Sequence, residues 1–256
     1  MKEREYLARL SIKHEGNWHA IKKGIEQEEN VDNISIEEHY ITLLDPGYPI
    51  QLKELRNPPW VLFYQGDVSL LSTPMATIVG SRKITAYGRD VTRLATDILS
   101  RKFTIVSGLA KGVDACAHQA AMQRGHTIGV VGCGLATQYP LENSDLYLHM
   151  SARHLIISEY PRLTPIRKYH FPWRNRILAA LGQCIVVTQA STKSGTLLTV
   201  NEALDLDKDI YCFPYSFFDN EGFGCNRLIA EGAIIIYDKE QLEAINPLRF
   251  KEQRLL

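Results

Sequence analysis

The sequence predicts an α/β fold, a parallel-rich sheet with helices on both faces, preceded by a small helical module. From about residue 75 onward, short apolar runs alternate with amphipathic stretches, the repeat that builds a parallel sheet covered on both sides. Glycine, hydroxyl and basic residues come after nearly every apolar run, so the loops past the strand ends carry the chemistry. The first 40 or so residues hold too little apolar surface for a robust core and read as short helices leaning on the larger domain.

At 256 residues the chain can form one large domain, or a medium domain with a small one. Apolar residues make up 45% and charged residues 23%, which places it among globular chains rather than disordered or fibrous ones. No apolar run approaches the ~18 residues of a membrane helix, so no membrane partner is expected. The opening Met1-Lys2-Glu3-Arg4-Glu5-Tyr6 has charges where a signal peptide has its apolar core, so no export is indicated. Five scattered cysteines without a C-x-x-C pair fit small core residues of a reduced, cytoplasmic protein and argue against zinc. Net charge is zero, yet residues 1–56 carry 8 basic and 11 acidic groups, which leaves +3 on the remainder. That balance excludes a highly basic non-specific nucleic-acid binder and permits a local basic cleft.

Residues 1–43 form the small module, SAM-like or helix-hairpin-helix-like. Tyr6, Leu7, Leu10 and Ile12, then Trp18, Ile21 and Ile25, recur at partly helical spacing, with Gly16-Asn17 as the break. A further helix is expected over residues 34–38, capped by Ser35. Residues 44–74 form a connector in which Pro46, Pro49, Pro58 and Pro59 fix turns, and residues 60–64 read as a strand at a sheet edge. The main domain spans 75–240, and 241–256 form a C-terminal tail. Within the main domain, residues 76–79, 103–106, 127–131, 155–157, 185–187, 210–213 and 234–236 read as strands. Val91, Leu94, Ala95, Ile98 and Leu99 fall at i, i+3, i+4, i+7 and i+8, one apolar face of a helix. Other helices are expected near 115–122, 143–152, 196–207 and 225–231.

In such sheets a ligand lies outside the carboxyl ends of the strands. The stretch 103–118 is the strongest candidate: an apolar strand, a break at Ser107-Gly108, then Lys111-Gly112 and an Ala-rich helix with Asp114 in its first turn. A glycine loop feeding a helix N-terminus presents unpaired N–H groups and a positive dipole end to an anion. Taken alone, it reads equally as an ordinary βα turn with a solvated lysine. The neighbouring loops Gly80-Ser81-Arg82, Gly132-Cys133-Gly134, Ser158-Glu159-Tyr160-Pro161 and Gln189 to Thr196 repeat the same chemistry, the last with Lys193-Ser194-Gly195-Thr196. Their convergence on one sheet edge points to an anionic ligand. A further stretch, Tyr169-His170-Phe171-Pro172-Trp173-Arg174-Asn175-Arg176, interleaves aromatics for stacking bases with guanidinium groups for phosphates. The alternative there is a buried aromatic anchor with its arginines salt-bridged. If Pro172 keeps the entry extended and Asn175 caps the helix after it, Arg176 reaches the pocket while Arg174 is held by protein carboxylates.

Taken together, these residues resemble the DNA-processing protein A (Smf) family. The matching blocks are Asp45-x-x-Tyr48-Pro49-x-x-Leu52, Ile78-Val79-Gly80-Ser81-Arg82, Val106 through Asp114 and Gly132-x-Gly134-Leu135-x-x-x-Tyr139-Pro140. They continue with Ser158 through Pro161, Phe171-Pro172-x-Arg174-Asn175-Arg176, Ser194-Gly195-Thr196-Leu197 and Gly224-x-Asn226-x-Leu228-Ile229, covering about residues 43–237. The resemblance implies an extended Rossmann-like domain that binds single-stranded DNA, forms a homodimer, and helps load the RecA recombinase during natural transformation; no cofactor or metal is expected. It maps the DNA pocket onto Gly80, Ser81 and Arg82, the loop with Ser107, Gly108, Lys111, Gly112 and Asp114, then Arg174, Asn175 and Arg176, and Lys193 through Thr196. Phe171 joins this set as a stacking ring. Gln189-Ala190 stands where the family commonly has Glu-Ala, which removes a negative charge near the pocket. The winged-helix tail of some relatives is not expected here.

The competing reading is a nucleotide phosphoribohydrolase of the lysine-decarboxylase-like class. Those enzymes carry Pro-Gly-Gly-x-Gly-Thr-x-x-Glu on the corresponding loop, with the acid serving glycosidic cleavage. Here Thr199 occupies the acid's position, and Glu202 lies two turns from the loop start. The sequence therefore favours a binding protein over an enzyme.

Overall fold

The computed structural model describes residues 3–248. α1 (Glu3–Lys13) and α2 (Trp18–Glu26) open the chain, with the Asn17 side chain accepting a hydrogen bond from the Ala20 amide at the start of α2. Leu10, Ile21 and Val31 make a small core of their own, completed by Ile25, Ile34 and Trp60. The module leans on the main sheet through Trp18, which donates from Nε1 to the Pro58 carbonyl at 2.7 Å and stacks on Trp60 at 5.4 Å. Residues 34–38 form no helix, contrary to expectation. Val31 is buried and Ile34 is drawn against the same small core only six residues before the next strand, too short a stretch to repay helix nucleation.

Among the described residues nine strands form one sheet: β1 (Tyr40–Thr42), β2 (Val61–Gly66), β3 (Met75–Gly80), β4 (Thr104–Ser107), β5 (Thr127–Val131), β6 (Leu155–Ser158), β7 (Cys184–Gln189), β8 (Asp209–Cys212) and β9 (Ile234–Ile235). Their spatial order is β1-β2-β6-β5-β4-β3-β7-β8-β9. All pairings from β6 to β9 are parallel, while β2 runs antiparallel to β6 and β1 antiparallel to β2. The connector strand thus lies inside the sheet, and β1 takes the edge. β7 is buried at all six positions, which is why its first four residues, Cys184–Val187, read as an apolar run.

The helices are α3 (Ile50–Lys53), α4 (Ala86–Leu99), α5 (Val113–Ala121), α6 (Ser144–Arg153), α7 (His170–Leu181), α8 (Thr196–Leu204), α9 (Phe223–Ala230) and α10 (Lys239–Ala244). Val91, Ala95, Ile98 and Leu99 bury the predicted face of α4. α7 begins at His170, five residues before the expected cap at Asn175. Pro172 sits in its first turn, where an N–H has no helical acceptor and none is missed. Of the expected tail, residues 241–244 complete α10, and 249–256 lie outside the described residues. No described helix is long and apolar enough to cross a membrane, and all five cysteines are free and buried.

The chain runs through β3, β4, β5 and β6 in one direction, then returns to place β7 on the other side of β3. That reversal leaves a crevice at the carboxyl ends of β3 and β7.

One core group gives the fold an acid limit. His118 is fully buried on α5, with Nδ1 2.6 Å from Thr127 Oγ1, whose hydroxyl donates to the Ile105 carbonyl. Its Nε2 is buried without a partner, and burial pushes the ring's pKa down to about 3. The folded value lies below the ordinary 6.5, so the contribution is complete above about pH 6.5 and is lost as the pH falls toward 3. Burial lowers His154 and His170 in the same direction. The urea midpoint should therefore be lower at pH 5 than at pH 7, and His118→Gln should flatten that dependence.

Candidate nucleic-acid interface

β3 ends at Gly80, and the chain then passes so close to β7 that the Ser81 amide donates to the Gln189 carbonyl at 2.8 Å. A side chain at Gly80 would meet Val113 Cγ2 at 2.6 Å, so glycine is required there. The loop after β4 is equally constrained. Gly112 has φ +78°, and a Cβ on it would lie 2.3 Å from the Ser81 carbonyl oxygen. Leu109 takes a left-handed conformation at φ +56° and is held by Asn143, whose Nδ2 donates to the Leu109 and Ala110 carbonyls at 2.9 and 3.2 Å. Two loops from different strands are thereby locked against each other.

A cavity of ≈ 520 Å³ opens at this crevice. One wall is Gly80, Ser81, Arg82 and Lys83; another is Ala110 and Asp114. Phe171, Arg174 and Asn175 enter from α7, Ser191 and Ser194 to Thr196 from the loop after β7, and Glu221 from the loop before α9. The Arg82 guanidinium stands 5.7 Å from the Phe171 ring centroid. Ser194 Oγ and Thr196 Oγ1 are 2.8 Å apart, and the Thr196 amide donates to Ser194 Oγ at 3.2 Å. Arg174 is 5% exposed and donates from Nη1 to the Gly108 carbonyl at 2.8 Å and to the Val130 carbonyl. Burial raises the Asp114 carboxyl above its usual range, opposed by the Arg174 charge beside it. The cavity therefore combines two exposed cations and a buried guanidinium with hydroxyl and amide donors and one ring face, which is the equipment for a phosphate joined to a base.

Of the residues expected from sequence, Gly80, Ser81, Arg82, Asp114, Phe171, Arg174, Asn175, Ser194, Gly195 and Thr196 come together here. The rest do not line the cavity. Ser107 is buried and donates to the Ile78 carbonyl, Gly108 supplies the acceptor for Arg174, and Gly112 shapes the turn. Lys111 is paired with Glu142, and Lys193 is exposed beside Ser194. Arg176 corrects the expected division of labour. It is buried, donates from Nη2 to Glu159 Oε1 at 2.6 Å, and lies 4.2 Å from the Trp173 ring centroid. Because α7 is already helical at these positions, residues two apart diverge, and it is Arg174 that reaches the cavity.

Lys83, Ser191, Thr199 and Glu221 line the cavity in addition to the expected residues. Lys83 is visible in the sequence as a second cation after Arg82, whereas Glu221 is brought in only by the fold. Glu202, the one substitute acid for glycosidic cleavage, lines a different cavity on the far side of α7. Gln189 is fully buried behind the site. Its Oε1 accepts from the Thr85 amide at 2.9 Å and its Nε2 donates to the Lys83 carbonyl at 3.1 Å, so both ends tie down the Arg82 loop. Gln189→Glu removes the donor and buries an acid. It should cost about 1–3 kcal/mol in urea unfolding, with weaker ligand binding as the loop loosens.

Fold and site together define an α/β protein with a cavity of cations, hydroxyls and one aromatic ring at the switch point of its sheet. The family model for DNA recombination-mediator protein A matches residues 39–246, and the chain belongs to that family. It is 42% identical over 205 residues to the DNA processing protein DprA of Bacillus subtilis, covering 79% of this chain and 69% of that one. The solved DNA processing protein A of Streptococcus pneumoniae superposes with a TM-score of 0.82 at 30% identity, over 94% of this chain and 96% of that one. The Helicobacter pylori DNA processing protein A, solved for its single-stranded DNA binding mode, gives a TM-score of 0.74 at 29% identity over 85% and 98%.

Proposed function

We propose that this chain binds single-stranded DNA in the cavity at the carboxyl ends of β3 and β7. One observation carries the reading: Arg82, Lys83 and Arg174 share a single cavity with donor hydroxyls and the Phe171 ring. The single-stranded DNA binding of the H. pylori relative supports it. A crevice between loops accepts a splayed strand with bases turned aside and is too narrow for a duplex. The wider role proposed is that of a cytoplasmic recombination mediator, in which a homodimer protects incoming strands and passes them to the RecA recombinase. RecA loading would show as faster RecA filament growth on strands that this protein already coats.

The test of binding is fluorescence anisotropy with oligothymidine and with a blunt duplex of equal length. Single strands should bind clearly tighter. With about three phosphates neutralised, the log–log salt slope should be near −2. Equal affinity for the duplex, or an affinity insensitive to salt, would overturn the reading.

A further inference from the structure

The aromatic and arginine stretch is divided by α7. Phe171 and Arg174 face the DNA cavity, while Trp173 and Arg176 face a second cavity of ≈ 820 Å³ between α7, the start of α2 and the end of α8. Its walls carry Trp18 and Trp173, and also Tyr160 stacked on His170 at 3.8 Å. The volume falls within the roughly 300–1,000 Å³ of sites that enclose small organic ligands.

Charge narrows the ligand. Two of the three arginines here are already paired, Arg167 with Glu15 and Arg176 with Glu159. Arg56 makes no ion pair among the described residues. Facing it are Glu202, in the last turn of α8, and Asp205, at its C-cap; neither side chain has an ion pair or hydrogen bond among the described residues. Carboxylates at a helix C-terminus oppose the helix dipole, so they are destabilising there with no partner among the described residues to offset it. Hydroxyl donors would satisfy them, and because the two carboxylates outnumber the one unpaired guanidinium of Arg56, a phosphate would be repelled on balance.

We propose that this cavity binds a nucleoside-class ligand, an aromatic heterocycle bearing a sugar diol and no phosphate. The rings stack the heterocycle, Asn57 on the wall is available to its polar edge, and Glu202 and Asp205 accept from the sugar hydroxyls. The site lies across α7 from the DNA cavity and does not depend on the DNA reading.

The chain's three tryptophans report on it: Trp18 and Trp173 line the cavity and Trp60 stacks on Trp18. Titration of the whole chain with adenosine should change the intrinsic fluorescence saturably. Adenosine 5′-monophosphate should bind at least about tenfold more weakly, from like-charge repulsion. The surface double variant Glu202→Gln/Asp205→Asn, checked for wild-type melting, should weaken adenosine and bring the ratio between the two ligands to within about threefold. Arg82→Ala/Lys83→Ala should leave the titration unchanged. No saturable change with adenosine would overturn the proposal. So would monophosphate binding as tight as adenosine, full discrimination surviving in the Glu202/Asp205 variant, or loss of the signal in the Arg82/Lys83 variant.

Discussion

Arg176→Ala should destabilise the fold by about 3–5 kcal/mol, the scale for removing one partner of a buried ion pair. Arg176 and Glu159 are 5% and 3% exposed, and Glu159 Oε2 already lacks a hydrogen-bond partner. Burial raises the Glu159 carboxyl, and the Arg176 charge opposite works against that rise. The substitution also removes donors to the Asn57 and Trp173 carbonyls and the guanidinium over Trp173. In a domain of this size such a loss corresponds to a drop in Tm of roughly 6–20 °C. Replacing both partners with apolar groups, as in Arg176→Met/Glu159→Leu, should recover most of it, because no uncompensated charge is left behind. A single variant that melts within a degree or two of the parent would show that the pair does not hold α7 to the loop after β6.

Arg82→Ala/Lys83→Ala should do the reverse, weakening oligothymidine binding by roughly 100-fold with almost no change in stability. Both side chains are exposed on the loop that Gln189 fixes from behind, and neither has an ion-pair partner among the described residues. Each charge-assisted contact to a phosphate is worth about 1.5 kcal/mol or more, roughly tenfold. Removing two should also reduce the magnitude of the salt slope by about 1.4 for a single strand. Surface changes of this kind stay within about 0.5 kcal/mol in stability, so a binding loss would not be a folding loss. Unchanged affinity with an unchanged salt slope would place the phosphates elsewhere.

The sheet was legible because buried parallel strands are mostly apolar: residues 185–187 announce β7, and the glycine and hydroxyl loops after the strands mark the cavity edge. The place of β2 was not, because Phe63 pairs with Ser158, and nothing local to either residue encodes that antiparallel register. The cavity's loop residues could be named from the chain since strand ends converge by topology. The roles of Arg174 and Arg176 could not, because they turn on where α7 begins, and Pro172 is as compatible with a first helical turn as with an extended entry. Glu221 illustrates the remaining gap: an acid in a loop before α9 reaches the cavity only because β8 lies beside β7.

Backbone amide hydrogen exchange, with and without oligothymidine, tests the central claim most directly, because it reads the strand's footprint without altering the protein. Protection should appear in the loops 80–85, 107–112 and 191–196 and at the start of α7, and should fade as salt is raised. Protection confined to residues 3–43, or no protection in the three loops at saturating oligonucleotide, would contradict it.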